Sequence, residues 1–304
     1  MKRIILGSFI GLSLVASAQV KPVEKMGKYS FSSNGIYFEV DLKIGGRITS
    51  FKLGTKEILY TDSTKGNNNY GSTFWPAPQS VWGWPPSDTL DKLPYIATVN
   101  NNELTVKSLA TKGKTNCAFE KTFSFNALEQ SVSVTYKIIN TSTKEIGLGP
   151  WQIARVPSGG LTFFPTGTSP ATGMLLPLLK VESGVSWFDY DSAFVSKDQT
   201  AVPKLMSDGA KGWLAHVTND KYLLMFKFAD TPTNMKSPGE DEIELYTNPN
   251  NSYTELEPLG AYGKIAPNAS STWTVKWYVK KLPANVDTKI GSLSLMTFVK
   301  NLMK

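Results

Sequence analysis

The chain has one cysteine, one histidine and three arginines in 304 residues. A lone Cys117 excludes an internal disulfide, so no covalent staple holds the fold. A lone His216 excludes a histidine-rich transition-metal site, and no Ser-His-Asp arrangement is evident around it. No Walker loop and no dinucleotide fingerprint occur, so neither a cofactor nor a metal is expected. Beyond the N-terminus no apolar run approaches a membrane span. The chain also lacks repeats, low-complexity tracts and any linker that would divide it into separate domains.

Basic residues are in surplus, and the formal net charge is +7. The surplus is lysine scattered along the chain, not an arginine cluster or a stripe, which makes nucleic acid a poor partner. The N-terminus reads as a secretory signal: Lys2 and Arg3 precede an apolar Ile4 to Val15, then Ala16-Ser17-Ala18 before Gln19. Cleavage there leaves residues 19–304 as one mature domain, secreted or periplasmic, with 30 basic against 25 acidic residues. The sequence leaves the oligomeric state open.

Apolar and polar positions alternate throughout, as in Ser131-Val132-Ser133-Val134-Thr135-Tyr136 and Thr272-Trp273-Thr274-Val275-Lys276-Trp277. Period two with turn residues between the runs predicts antiparallel strands with one buried face. Asn116-Cys117-Ala118-Phe119 reads as a packed strand, and Thr218-Asn219-Asp220-Lys221 as a hairpin turn. Helix-compatible spacing appears only in the last stretch, Ile290 to Met303. The expected fold is therefore all-β, an antiparallel sandwich with one C-terminal helix.

The most distinctive segment is Gly71 to Pro86, which holds Trp75, Trp82 and Trp84 among four prolines. Proline lacks a donor, so the segment is expected to be a rigid loop and not a central strand. Flat rings held rigidly suit the apolar face of a pyranose, with fixed polar groups such as Gln79 at the rim. Pro150-Trp151-Gln152-Ile153-Ala154-Arg155 offers a further ring, a neutral hydrogen-bonding side chain and an arginine. In a lysine-rich chain, Arg47 and Arg155 mark positions that want a planar fork. Arg47 follows Gly45-Gly46, a pair that permits close backbone approach.

In Tyr253-Thr254-Glu255-Leu256-Glu257-Pro258 the two carboxylates share one strand face. Buried together they would raise at least one pKa and supply a general base; exposed, they would simply be solvated. His216, on an apolar strand, reads more readily as a satisfied core residue than as an acid. The acidic run Glu240-Asp241-Glu242-Ile243-Glu244 could ligate calcium but reads better as a solvated loop.

Taken in order, several of these segments resemble the galactose mutarotase-like (aldose 1-epimerase) superfamily, and within it the DUF4380-type secreted bacterial branch. The resemblance rests on Gly45-Gly46-Arg47-Ile48-Thr49-Ser50, the Gly71 to Pro86 segment, Asn140-Thr141-Ser142 and Gly149-Pro150-Trp151. It continues through Leu245-Tyr246-Thr247-Asn248, Glu255-Leu256-Glu257-Pro258 and Ala266-Pro267-Asn268-Ala269-Ser270. It implies a β-supersandwich that binds sugars in a shallow groove on one sheet, with a glutamate base and histidine acids in its epimerases. By motif Glu257 stands at the base position. The mid-chain histidine position here reads Pro150-Trp151-Gln152, and His216 matches no family histidine. Two functions follow as expectations. One is a sugar epimerase with Glu257 as base and His216 or Glu255 as acid. The other is a non-catalytic glycan-binding module stacking sugars on Trp75, Trp82, Trp84 and Trp151. A lyase or glycosidase is a weaker third reading, because two glutamates on one strand do not flank a glycosidic bond.

Overall fold

A computed structural model describes residues 20–64, 68–195 and 202–304. The proposed signal segment lies outside them. Strands dominate, and every strand pairing among the described residues is antiparallel, in two sheets of eleven and ten strands. The all-β expectation holds, with short helical turns at Asp88–Asp91 and Ser192–Val195 and one longer helix, Leu293–Leu302.

The core between the sheets is built by alternation. In Ser131–Asn140, Val132, Val134, Tyr136 and Ile138 are buried while the residues between them are half-exposed. Trp273, Val275, Trp277 and Val279 are likewise buried in Ser270–Lys281, which pairs with that strand, and Tyr278 between the last two is buried against the outer helix instead. Phe38, Phe51 and Phe226 meet the edge of the Trp277 ring at centroid distances of 5.9, 5.8 and 4.6 Å. Cys117 is fully buried at the start of Cys117–Asn126. Thr218 to Lys221 does turn the chain between Trp213–Val217 and Tyr222–Lys227. Among the described residues no helix is long and apolar enough to cross a membrane.

Leu293–Leu302 covers the outer face of the second sheet, where Leu295 and Val299 pack among Phe163, Trp187 and Trp213. Ser292 caps it, its Oγ accepting from the Leu295 N–H at 3.2 Å. Ser292→Ala should cost about 1 kcal/mol in chemical denaturation, the usual worth of an N-cap. A change under a few tenths would mean that packing alone holds the helix.

The proline-rich segment departs from expectation. Ser72–Ala77 is an interior strand of the first sheet, not a loop. Its register puts Pro76 opposite Pro150 and Trp75 opposite Trp151. Two prolines tolerate each other there because facing residues in an antiparallel pair exchange hydrogen bonds only at alternate positions. On the other side, the strand Arg47–Leu53 meets Ser72–Ala77 only at Ile48 and Ser72, so no neighbour asks Pro76 for a donor. The chain enters through Gly71, whose φ is +64° and where a Cβ would lie 2.2 Å from the Ile48 carbonyl oxygen. Only the residues after Ala77 turn away, through Gln79–Val81.

Candidate functional site

Five strands of the first sheet present their outward faces to one groove, Ser72–Ala77 among them through Trp75. In Ile146–Pro157 residues 148 to 156 are all buried, because the strand is covered on both faces. Leu148, Ala154 and Val156 enter the core, while Trp151 and Ile153 join an outer cluster with Trp75, Trp82 and Leu259. In Tyr253–Pro258, Leu256 enters the core, which turns Glu255 and Glu257 to the groove face. Ile243–Thr247 pairs with it so that Glu244 faces Glu257 and Tyr246 faces Glu255. Lys204, from the edge strand Lys204–Ser207, stands opposite Tyr246.

The resulting groove has a volume of about 250 Å³, walled by Trp75, Trp84 and Trp151. Trp75 meets Trp84 and Trp151 edge-on, each at 5.6 Å between ring centroids. Trp84 is 60% exposed, which leaves a large ring free to meet a ligand. Glu257 lies at the bottom. Trp151 Nε1 donates to its Oε2 at 2.9 Å, and Lys204 Nζ stands 3.6 Å from the same oxygen. Its Oε1 is buried and has no hydrogen-bond partner among the described residues. Lys204 also forms an ion pair with Glu244 and lies 4.9 Å over the Trp151 ring. Beside it, Arg155 Nε pairs with Glu255 Oε1 at 2.8 Å, and Arg155 Nη1 donates to Thr73 Oγ1 at 3.2 Å.

These charges are held against burial. Burial opposes the Lys204 charge, yet Glu257 and Glu244 outweigh it and carry its pKa upward. Burial pushes Glu244 well above the ordinary carboxylate range, Lys204 pulling it down and Glu257 pushing it further up. Glu255 is raised by burial, opposed by Arg155 and reinforced by Glu257. Glu240, whose Oε1 accepts the Gln79 N–H at 2.6 Å, is pushed by burial up to about 7. That bond ties the loop carrying Trp82 and Trp84 to the carboxylates.

The sequence candidates separate on this geometry. Trp75, Gln79, Trp84, Trp151, Glu255 and Glu257 line the groove, with Arg155 directly behind Glu255. Gln152 does not reach it: the alternation turns it into the core, where its Oε1 accepts from Tyr136 Oη and Trp277 Nε1, each at 3.0 Å. Trp82 lies beneath, its Nε1 donating to the Pro76 carbonyl at 2.7 Å, and it faces a neighbouring hollow. Arg47 is buried away from the groove, Nη2 at 3.3 Å from Asp91 Oδ2, while Asp91 Oδ1 accepts from Trp75 Nε1 at 2.9 Å. It can position Trp75 but cannot touch a ligand. His216 is corrected as an acid partner for Glu257. Its strand belongs to the other sheet, its Nδ1 bonds Thr162 Oγ1 at 2.9 Å, and burial lowers its pKa to about 4.

The acidic run is also corrected. Glu242 and Glu244 are buried, and Ile243–Thr247 is a strand rather than a solvated loop. Glu244-Leu245-Tyr246 alternates as Glu255-Leu256-Glu257 does, so its face was readable in principle. For Lys204 no local signal existed.

The buried titratable groups set a pH dependence of stability. Glu240 and Glu242, each raised by burial to about 7, hold protons that the unfolded chain releases from 4.5 upward. Their contribution is full below 4.5 and is lost as pH rises towards 7. His216 works the other way between about 4 and 6.5, but it is one group. Buried Lys121, lowered by burial to about 7, is neutral in the fold where the unfolded chain is charged, so its own contribution to stability grows from 7 towards 10.5, offset above 9 by buried Cys117. Stability measured against pH should therefore pass through a minimum near neutrality. Lys121→Met should flatten the alkaline rise, and a rise that persists in the variant would contradict this assignment.

No family model matches the chain, and no curated protein sequence matches it. Solved structures do. A candidate aldose 1-epimerase from Escherichia coli K12 superposes with a TM-score of 0.58 at 15% identity, over 84% of this chain and 99% of that one. A galactose mutarotase-like protein from Clostridium acetobutylicum gives 0.54 at 10% identity, over 87% and 99%. Another, from Lactobacillus casei, gives 0.58 at 9% identity, over 84% and 100%. The chain has the galactose mutarotase-like fold. At these identities the likeness extends to the mutarotase-like architecture, and the chemistry has to be read from the groove itself.

Proposed function

We propose that the groove binds a sugar against Trp75, Trp84 and Trp151, and that Glu257 opens its ring. The observation that carries this reading is the Glu257 carboxylate, held through Oε2 by Trp151 and Lys204 while its buried Oε1 has no hydrogen-bond partner among the described residues. A base must be fixed in direction and have one unoccupied oxygen towards its proton. Glu257 Oε1 takes the proton of the anomeric hydroxyl as the bond from the anomeric carbon to the ring oxygen breaks. The electron pair moves to the ring oxygen, where the Lys204 ammonium is the cation placed to stabilise it. Closure from the other face returns the proton and gives the other anomer. Fold likeness to aldose 1-epimerases adds support of the analogical kind.

A second reading, binding without turnover, is favoured by one observation: His216 is remote, so no histidine acid faces the groove. Anomer equilibration followed by NMR across a panel of aldoses separates the two. Acceleration supports ring opening, and sugar line broadening without acceleration supports a binding module. Either way Trp84→Ala should weaken sugar binding by about tenfold while leaving stability unchanged, since the ring is mostly exposed. Unaltered affinity would remove Trp84 from the site.

The charged, then apolar, then small-residue order of residues 2–18 supports export of this protein. N-terminal sequencing of the chain made in a cell with a secretion system should begin at Gln19. An intact Met1 would count against export.

A further inference from the structure

The groove is built for more positive charge than it holds. Four carboxylates, Glu240, Glu244, Glu255 and Glu257, gather at or just behind its floor. Among the described residues only Lys204 and Arg155 answer them. Among the described residues, one oxygen of Glu257, one of Glu240 and both of Glu244 are buried without a hydrogen-bond partner, although Glu244 is ion-paired with Lys204. Glu257 is 1% exposed and lines the groove, and its Oε1 is buried without a hydrogen-bond partner among the described residues. The aromatic walls suit a cation as well as a sugar face, because an indole attracts an ammonium at short range. Lys204 already shows the preferred arrangement: its ammonium lies 4.9 Å from the Trp151 ring centroid and is bracketed by Glu244 and Glu257.

We infer that the sugar taken by this groove carries a free ammonium group on the carbon next to its anomeric centre, as a 2-amino-2-deoxyhexose does. The inference rests on the sugar-binding reading above. If Glu257 Oε1 faces the anomeric hydroxyl, a substituent on the neighbouring carbon falls beside Glu257 and Glu255. An ammonium there meets carboxylates that are short of cations and an indole wall. A neutral hydroxyl leaves the carboxylate surplus as it was, and an acetylated amine brings bulk without charge. Charge-assisted hydrogen bonds are about twice as strong as neutral ones, which sets the direction of the preference. Because burial has raised Glu240, Glu244 and Glu255, an entering cation should also drive protons out of the cluster.

Titration calorimetry on the whole mature protein tests this with glucosamine, glucose and N-acetylglucosamine, at a pH where the amine is protonated. Glucosamine should bind about tenfold more tightly than glucose, from one charge-assisted bond and one cation–π contact. Its heat should vary with the ionisation enthalpy of the buffer, reporting released protons, whereas that of glucose should not. Lys204→Met removes the resident competitor and should widen the preference. Equal affinity for glucosamine and glucose overturns the inference and leaves the sugar-binding reading standing. Failure of all three sugars to bind overturns both.

Discussion

Glu257→Gln is expected to abolish accelerated anomer exchange while the sugar still binds. Glutamine keeps an oxygen to accept from Trp151 Nε1 but cannot take a proton. Removing one acid–base group lowers a rate by about 10² to 10⁴-fold, which would bring exchange close to the uncatalysed background. The lost carboxylate also frees Lys204, whose remaining partner is Glu244, so a modest change in affinity is expected beside the large change in rate. NMR exchange rates at saturating sugar isolate the chemical step from binding. A variant as fast as the wild type would show that Glu257 is not the base. Lys204→Met serves as the comparison: it should slow exchange while leaving the base in place.

The largest effect on stability is expected from Arg47→Leu. Arg47 and Asp91 are 1% and 6% exposed, and their ion pair lies behind the groove wall. The same guanidinium bonds the carbonyls of Asn68 and Tyr70. Breaking a buried pair by removing one partner costs about 3–5 kcal/mol, because the other charge stays buried without compensation. Arg47→Lys should recover only a fraction of that, since a single ammonium cannot reproduce a fork aimed at a carboxylate and a pair of carbonyls. Denaturant midpoints measure both. The readout that goes beyond stability is Trp75, whose Nε1 hangs on Asp91. Sugar affinity should fall in Arg47→Leu even under conditions where the protein remains folded. A loss below about 1 kcal/mol would mean that the pair roughly balances its own desolvation.

Much of the fold was legible because alternation is a local property. Val132, Val134, Tyr136 and Ile138 needed no partner strand to declare which way they point. The same rule placed Glu255 and Glu257 on one face with Leu256 on the other. It was misapplied at Gln152, where Trp151, Ile153 and Arg155 already occupied the outward positions and one step of register sends a side chain to the opposite face. The proline rule misled at Ser72–Ala77. It counts a missing donor as a loss, but whether a donor is needed depends on the neighbouring strand, and opposite Pro150 it is not. His216 could be read as buried from its apolar surroundings, but no local pattern says which sheet receives it.

What the sequence determined by itself is therefore most of the strands, the side of the regularly alternating ones that faces the core, and the aromatic character of one segment. These follow from backbone pleating and from the cost of exposing apolar surface, both of which act within a few residues. Only the tertiary structure decided which strands lie side by side. It brought Glu244 opposite Glu257 and set Lys204 between them from an edge strand distant in sequence. It also left His216 in the other sheet. A cluster of like charges is made by pairing between distant segments, and its energetics depend on burial that no single segment possesses alone.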